Sequence, residues 1–120
     1  MHILMCNDDG ILADGLRHLA SYISQYYRIT VVAPANEQSA KSHALTTEVP
    51  LKLDACNGED ENPRLYALTG TPSDCMKFGL SYLLTDDMPD LVISGINHGF
   101  NLGSDVLYSG TVSAAMESGF

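Results

Sequence analysis

Asp8 and Asp9 stand side by side directly after an apolar, β-capable run, His2-Ile3-Leu4-Met5-Cys6, within the turn-forming stretch Asn7-Asp8-Asp9-Gly10. Two neighbouring carboxylates repel each other unless a cation or a proton relieves them. A hard divalent cation, which takes oxygen ligands, is the simplest relief. The plain alternative is a solvated turn, since Asn, Asp and Gly are common turn formers, and on this motif alone the turn is the better reading. Two more oxygen-rich loops change the balance. Asn36-Glu37-Gln38-Ser39 follows a second apolar run, and Ser94-Gly95-Ile96-Asn97 follows another. Ser39 by itself is an ordinary loop serine, and Asn97 by itself is a residue that tolerates a left-handed turn. Together the loops offer two carboxylates, a hydroxyl and an amide carbonyl. That donor set suits magnesium or manganese and is a poor match for zinc.

A second feature is Tyr108-Ser109-Gly110-Thr111-Val112-Ser113, which reads as a helix start. Small residues there leave backbone N–H groups open to an anion, and the helix dipole favours negative charge. Hydroxyls of Ser109 and Thr111 add donors. The ordinary alternative is a Ser/Thr N-cap. Gly70-Thr71-Pro72-Ser73-Asp74 reads the same way, as a structural cap first and a ligand contact second. His43 and His98 are the titratable residues nearest the proposed site. A histidine there could act as a general acid near neutral pH, although a surface histidine is the commoner case. Asn101 either contacts substrate or shapes its glycine-rich loop.

The elements that must position these groups alternate between strand and helix. Strands are expected at about 2–6, 28–33, 64–69 and 90–94. Helices are expected at about 14–26, where Leu16, Leu19, Ala20 and Ile23 recur at helical spacing, and at about 72–84. In the second helix Thr71 is the N-cap and Pro72 stands at N1. A last helix begins near Gly110. Residues 44–63 read as a β-hairpin insert, too short to carry a core of its own. This order predicts an α/β fold, a three-layer sandwich with a mostly parallel sheet. Loops after parallel strands share one sheet edge, so the Asp8, Ser39 and Asn97 loops should face one crevice.

The composition sets limits. A net charge of −9, from 6 basic and 15 acidic residues, makes the chain a poor holder of a long nucleic-acid backbone, so no DNA partner is expected. A small phosphate held by a metal and backbone amides is compatible with it. The acidic stretch Asp54 to Glu61 reads as a solvated loop. Cys6, Cys56 and Cys75 suggest neither a disulfide framework nor a zinc site. With no apolar run long enough to span a membrane and no signal-peptide pattern, no membrane partner is expected and the cytoplasm is the expected location.

Five ordered motifs carry a resemblance: Asn7-Asp8-Asp9-Gly10, Ser39-Ala40, Gly70-Thr71-Pro72-Ser73-Asp74-Cys75, Ser94-Gly95-Ile96-Asn97, and Asn101-Leu102-Gly103 through Tyr108-Ser109-Gly110-Thr111-Val112. They resemble the survival protein E (SurE) family of metal-dependent phosphatases acting on nucleoside monophosphates. The resemblance implies a Rossmann-like core and one magnesium or manganese ion per subunit, held by Asp8, Asp9, Ser39 and Asn97. Asp8 and Asp9 are then the catalytic pair. Asn7, Asn97, Asn101, Ser109, Gly110 and Thr111 are the expected contacts to substrate and phosphate. The family implies 5′(3′)-nucleotidase activity, in some members cleavage of short polyphosphate, and a dimer or tetramer in the full-length protein. Its members are longer, so residues 1–120 correspond to a single Rossmann-like phosphatase domain lacking the C-terminal part of the fold.

Two rivals bear on the function. A non-catalytic metal- and nucleotide-binding module would use the same cradle without turnover. A haloacid-dehalogenase-like phosphatase needs two aspartates one residue apart, whereas these are adjacent.

Overall fold

The computed structural model describes residues 1–36 and 51–95 in full, and residues 106–109 as backbone. Among the described residues the sheet has six strands: β1 (His2–Cys6), β2 (Arg28–Pro34), β3 (Leu53–Ala55), β4 (Arg64–Leu68), β5 (Leu91–Ser94) and β6 (Val106–Ser109). Their order across the sheet is β3-β4-β2-β1-β5-β6. The four inner strands are parallel, and an antiparallel strand lines each edge.

The parallel centre follows from the pattern of the strands. All five residues of β1 are buried, as are six of seven in β2. A strand buried on both faces reads as a near-continuous apolar run, and the two polar exceptions, His2 and Thr30, are hydrogen-bonded to each other. Alternate residues serve alternate layers. Ile3, Met5, Ile29, Val31 and Ala33 pack with Leu16 and Ala20 of helix α1 (Asp14–Ile23). Leu4, Cys6, Val32, Leu68 and Val92 pack on the other face with Cys75 of α2 (Pro72–Phe78) and with Leu80 and Leu84 beyond it. The result is the expected helix–sheet–helix sandwich.

The helices end differently from the expected 14–26 and 72–84. Helix α1 stops at Ile23 because the side chain of Asn62 takes over the end of that segment. Its Nδ2 donates to the carbonyls of Ser24 and Tyr27, each at 3.0 Å, while its Oδ1 accepts from Ile29 N at 2.9 Å. Helix α2 begins as read. The Thr71 hydroxyl accepts from Asp74 N at 3.1 Å and the Asp74 carboxylate accepts from Thr71 N at 2.9 Å, a reciprocal capping box. After Phe78 it widens into a π-helical turn (Gly79–Leu83), closed by Leu84 N donating to Gly79 O at 2.9 Å. The extra residue keeps Cys75, Leu80 and Leu84 on the sheet side, where all three are buried.

The described part of the expected hairpin insert joins the sheet. Strand β3 pairs antiparallel with β4, Leu53 opposite Leu68 and Ala55 opposite Tyr66. Glu59, Asp60 and Glu61 in the connection are exposed, as a solvated loop requires. Residues 44–50 lie outside the described residues. Strand β6 was not expected. It runs antiparallel to β5 with Val106 opposite Ser94 and Ser109 opposite Leu91.

Candidate active site

The path of the chain creates one crevice. From β1 it moves through α1 to β2, then out to the edge strand β3 and back one place to β4, all on one side of β1. Helix α2 then carries it back over β2 and β1 to β5, on the other side of β1. The order therefore reverses between β1 and β5. In open α/β sheets ligands bind outside the carboxyl ends of the strands at such a switch point. The residues that emerge there from β1 are Asn7, Asp8, Asp9 and Gly10.

This loop is tied on three sides. Within it, the Asn7 side chain forms a ring with Gly10: Nδ2 donates to Gly10 O at 3.0 Å, and Gly10 N donates to Asn7 Oδ1 at 3.1 Å. Towards β2, Ile11 N donates to Pro34 O at 2.9 Å. Towards β5, Gly95 N donates to Cys6 O at 2.8 Å. Gly10 has φ +104°, and a Cβ there would stand 3.3 Å from Pro34 O. Only glycine meets both demands without strain. Asp8 and Asp9 between these anchors are half-buried.

The sequence placed Asn7 on the substrate. In the structure it has no exposed surface, and both polar atoms of its side chain bond Gly10. Its amide holds the turn that carries the aspartates. An Asn three residues before a Gly, with Asp between, is a turn signature, so the signal was present in the sequence.

Ser109 requires a correction. It was read at a helix start on the phosphate, yet it ends strand β6 opposite Leu91. Leu91 is three residues back from Ser94 along β5, about 10 Å at ~3.3 Å per residue. That is away from the edge where Asp8 and Asp9 emerge, so the structure does not bring Ser109 to them. The edge position of this short strand explains why a helix start was expected instead: Val106-Leu107-Tyr108 is too brief an apolar run to show a period. Ser39, Asn97, Asn101, Gly110, Thr111, His43 and His98 lie outside the described residues. In the chain Ser39 and His43 follow β2, and Asn97, His98 and Asn101 follow β5, the two strands that flank β1, whereas Gly110 and Thr111 follow β6.

The chemistry of the described donors fits magnesium or manganese. Asp8 and Asp9 supply hard carboxylate oxygens. Cys6, at the end of β1, is buried, and burial pushes its thiol up to about 12. Burial raises the Cys75 thiol as well. Among the described residues, no group of three or more His, Cys, Asp or Glu is placed to hold a metal.

The family model described as Survival protein SurE matches residues 3–120. This chain belongs to the SurE family. Among its relatives is the 5′-nucleotidase SurE of Thermoanaerobacter sp. (strain X514), 53% identical over 118 residues, which are 98% of this chain and 46% of that protein. The 5′-nucleotidase SurE of Vibrio vulnificus (strain YJ016) is 51% identical over 120 residues, 100% of this chain and 45% of that protein. The crystal structure of the SurE protein from Aquifex aeolicus superposes with a TM-score of 0.69 at 42% identity, covering 98% of this chain and 46% of that one. The family and fold expected from the ordered motifs are therefore borne out. The chain spans about half the length of the curated SurE relatives it matches.

Proposed function

We propose that this chain forms the metal- and phosphate-holding part of a phosphomonoesterase that hydrolyses nucleoside 5′- and 3′-monophosphates to nucleoside and phosphate. The observation that carries this is the Asp8–Asp9 pair, anchored at the switch point of a parallel sheet in a chain whose relatives are named 5′-nucleotidase. Asp8, Asp9, Ser39 and Asn97 hold one magnesium or manganese ion per subunit. When bound, such an ion neutralises phosphate charge and lowers the pKa of a coordinated water.

The chain's own residues supply position and charge. Asp8 and Asp9 gather negative charge at a fixed point, and Asp8 stands as nucleophile or as the base that orients water. Asn97 and Asn101 offer amide donors to the phosphoryl oxygens. Donors aimed at oxygens where charge builds are the usual source of rate in such a site. Gly110 and Thr111 join that cradle on the strength of the family resemblance. Short polyphosphate is a further substrate of the same chemistry. A homo-oligomer, dimer or tetramer, in the cytoplasm completes the proposal.

One other reading is a module that binds metal and nucleotide in the same cradle without turnover. Phosphate release from a panel of 5′- and 3′-nucleotides separates the two. It is measured with and without magnesium or manganese, on this chain and on a longer chain of full family length. Metal-dependent release supports the esterase. Nucleotide binding with no release from either chain supports the module.

A further inference from the structure

We infer that Asn7 is a positioning residue: its side-chain ring with Gly10 pre-forms the turn that presents Asp8 and Asp9 to a divalent cation, before any cation arrives. The inference rests on the metal reading proposed above and adds to it a residue that does not touch the ion.

Three observations carry it. First, a polar side chain without exposed surface normally has a hydrogen-bonding task, and that of Asn7 is confined to the turn. One donor and one acceptor of its amide meet the carbonyl and the N–H of the same residue, Gly10. An apolar side chain offers neither group, and an ionised carboxylate offers no donor. Second, the ring spans the two aspartates and nothing else, so the peptide between its ends is the peptide that bears both carboxylates. Third, the far end of the ring is immobilised. Gly10 is pressed against the carbonyl of Pro34, and Ile11 N is bonded to that same carbonyl. At the near end, Cys6 O accepts from Gly95 N. The turn is thus clamped to the ends of β2 and β5, the strands that lead into the Ser39 and Asn97 loops.

The energetic consequence concerns repulsion. Bringing two carboxylates together without a cation is unfavourable, and a pliant loop would swing them apart. A turn held by its own side chain keeps them in place, so the ordering cost is met on folding rather than on binding. Pre-organisation of this kind raises affinity without adding a contact.

Two measurements test it on the full-length protein. The first is manganese affinity, read from free Mn²⁺ by electron paramagnetic resonance, for the parent, Asn7→Ala and Asp9→Asn. We expect Asn7→Ala to bind manganese at least tenfold more weakly while its far-ultraviolet circular dichroism stays that of the parent. Unchanged affinity in a folded Asn7→Ala, with binding lost in Asp9→Asn, overturns the positioning role and leaves the metal reading standing. A parent that binds no manganese overturns the metal reading and this inference with it.

The second measurement needs no variant, and it decides the matter if Asn7→Ala does not fold. Amide exchange of Gly10 is followed in the parent with and without magnesium. A pre-formed ring protects this N–H equally in both conditions. An amide that exchanges at open-loop rates without magnesium and becomes protected only with it would mean that the ion, not Asn7, builds the turn.

Discussion

At the scale of single residues, the aspartates and their support are separable. Asp9→Asn removes one charge from the proposed cation site and relieves repulsion between neighbours. Turnover in the presence of manganese should therefore fall by two orders of magnitude or more (~10²-fold for losing a charge that stabilises the transition state), while the melting temperature without metal holds or rises. A sharp fall in that melting temperature would make Asp9 a structural cap instead. His2 is the opposite kind of residue, buried and far from the crevice. Its Nδ1 lies 3.1 Å from the carbonyl of Asp87 and its Nε2 2.8 Å from the Thr30 hydroxyl. A carbonyl only accepts, so Nδ1 carries the hydrogen and Nε2 accepts from Thr30. Burial holds the pKa of this imidazole below its usual 6.5, helped by the Arg28 charge and opposed by Asp87 and Asp90. The folded state thus binds fewer protons than the unfolded state as pH falls below 6.5. Its stabilising contribution is complete above 6.5 and is lost as pH falls from there through the lowered value. Urea midpoints at pH 7.5 and 5.5 should differ less for His2→Gln than for the parent. An equal difference would remove His2 as the cause.

At the scale of elements, β1 is readable with its exact bounds because five consecutive apolar or buried residues run straight into a turn. Helix α2 is readable from its start for a similar reason: Thr71, Pro72 and Asp74 each have a defined place at an N-terminus. Thr71→Ala removes the acceptor for Asp74 N and should lower stability by about 1 kcal/mol. This is measurable as a lower urea midpoint at unchanged slope. Other features depend on partners that are distant in sequence. The end of α1 is set by Asn62, nearly forty positions beyond it, and the widened turn after Phe78 by the need to keep Leu80 and Leu84 on the sheet. Strand β6 is short and ends on the serine of Ser109-Gly110-Thr111, a tripeptide that also opens helices. Local pattern favoured the helix, whereas pairing with β5 decides the strand. In the site, residue types pointed to Asp8 and Asp9 and to a turn from Asn7 to Gly10, but the full burial of the Asn7 side chain depends on how Gly10 meets β2.

At the scale of the whole molecule, a buried parallel centre flanked by antiparallel edges predicts a gradient of local stability. Amides of β1 and β2 should exchange slowest, those of β4 and β5 next, and those of the three-residue edge strand β3 fastest. Exchange in β1 as fast as in β3 would contradict the sheet order. The rigid centre has a functional consequence, since β1 is both the most enclosed strand and the one that delivers the aspartates. The proposed cation site requires that strand and its two neighbours to bring four oxygen-bearing residues onto one ion. Anomalous diffraction from manganese-soaked crystals tests this directly. The predicted result is one peak per chain beyond the carboxyl end of β1, with oxygens of Asp8, Asp9, Ser39 and Asn97 at about 2.0–2.6 Å. A peak elsewhere, or these oxygens spread more than about 8 Å apart where ligand distances of that size are required, would contradict it.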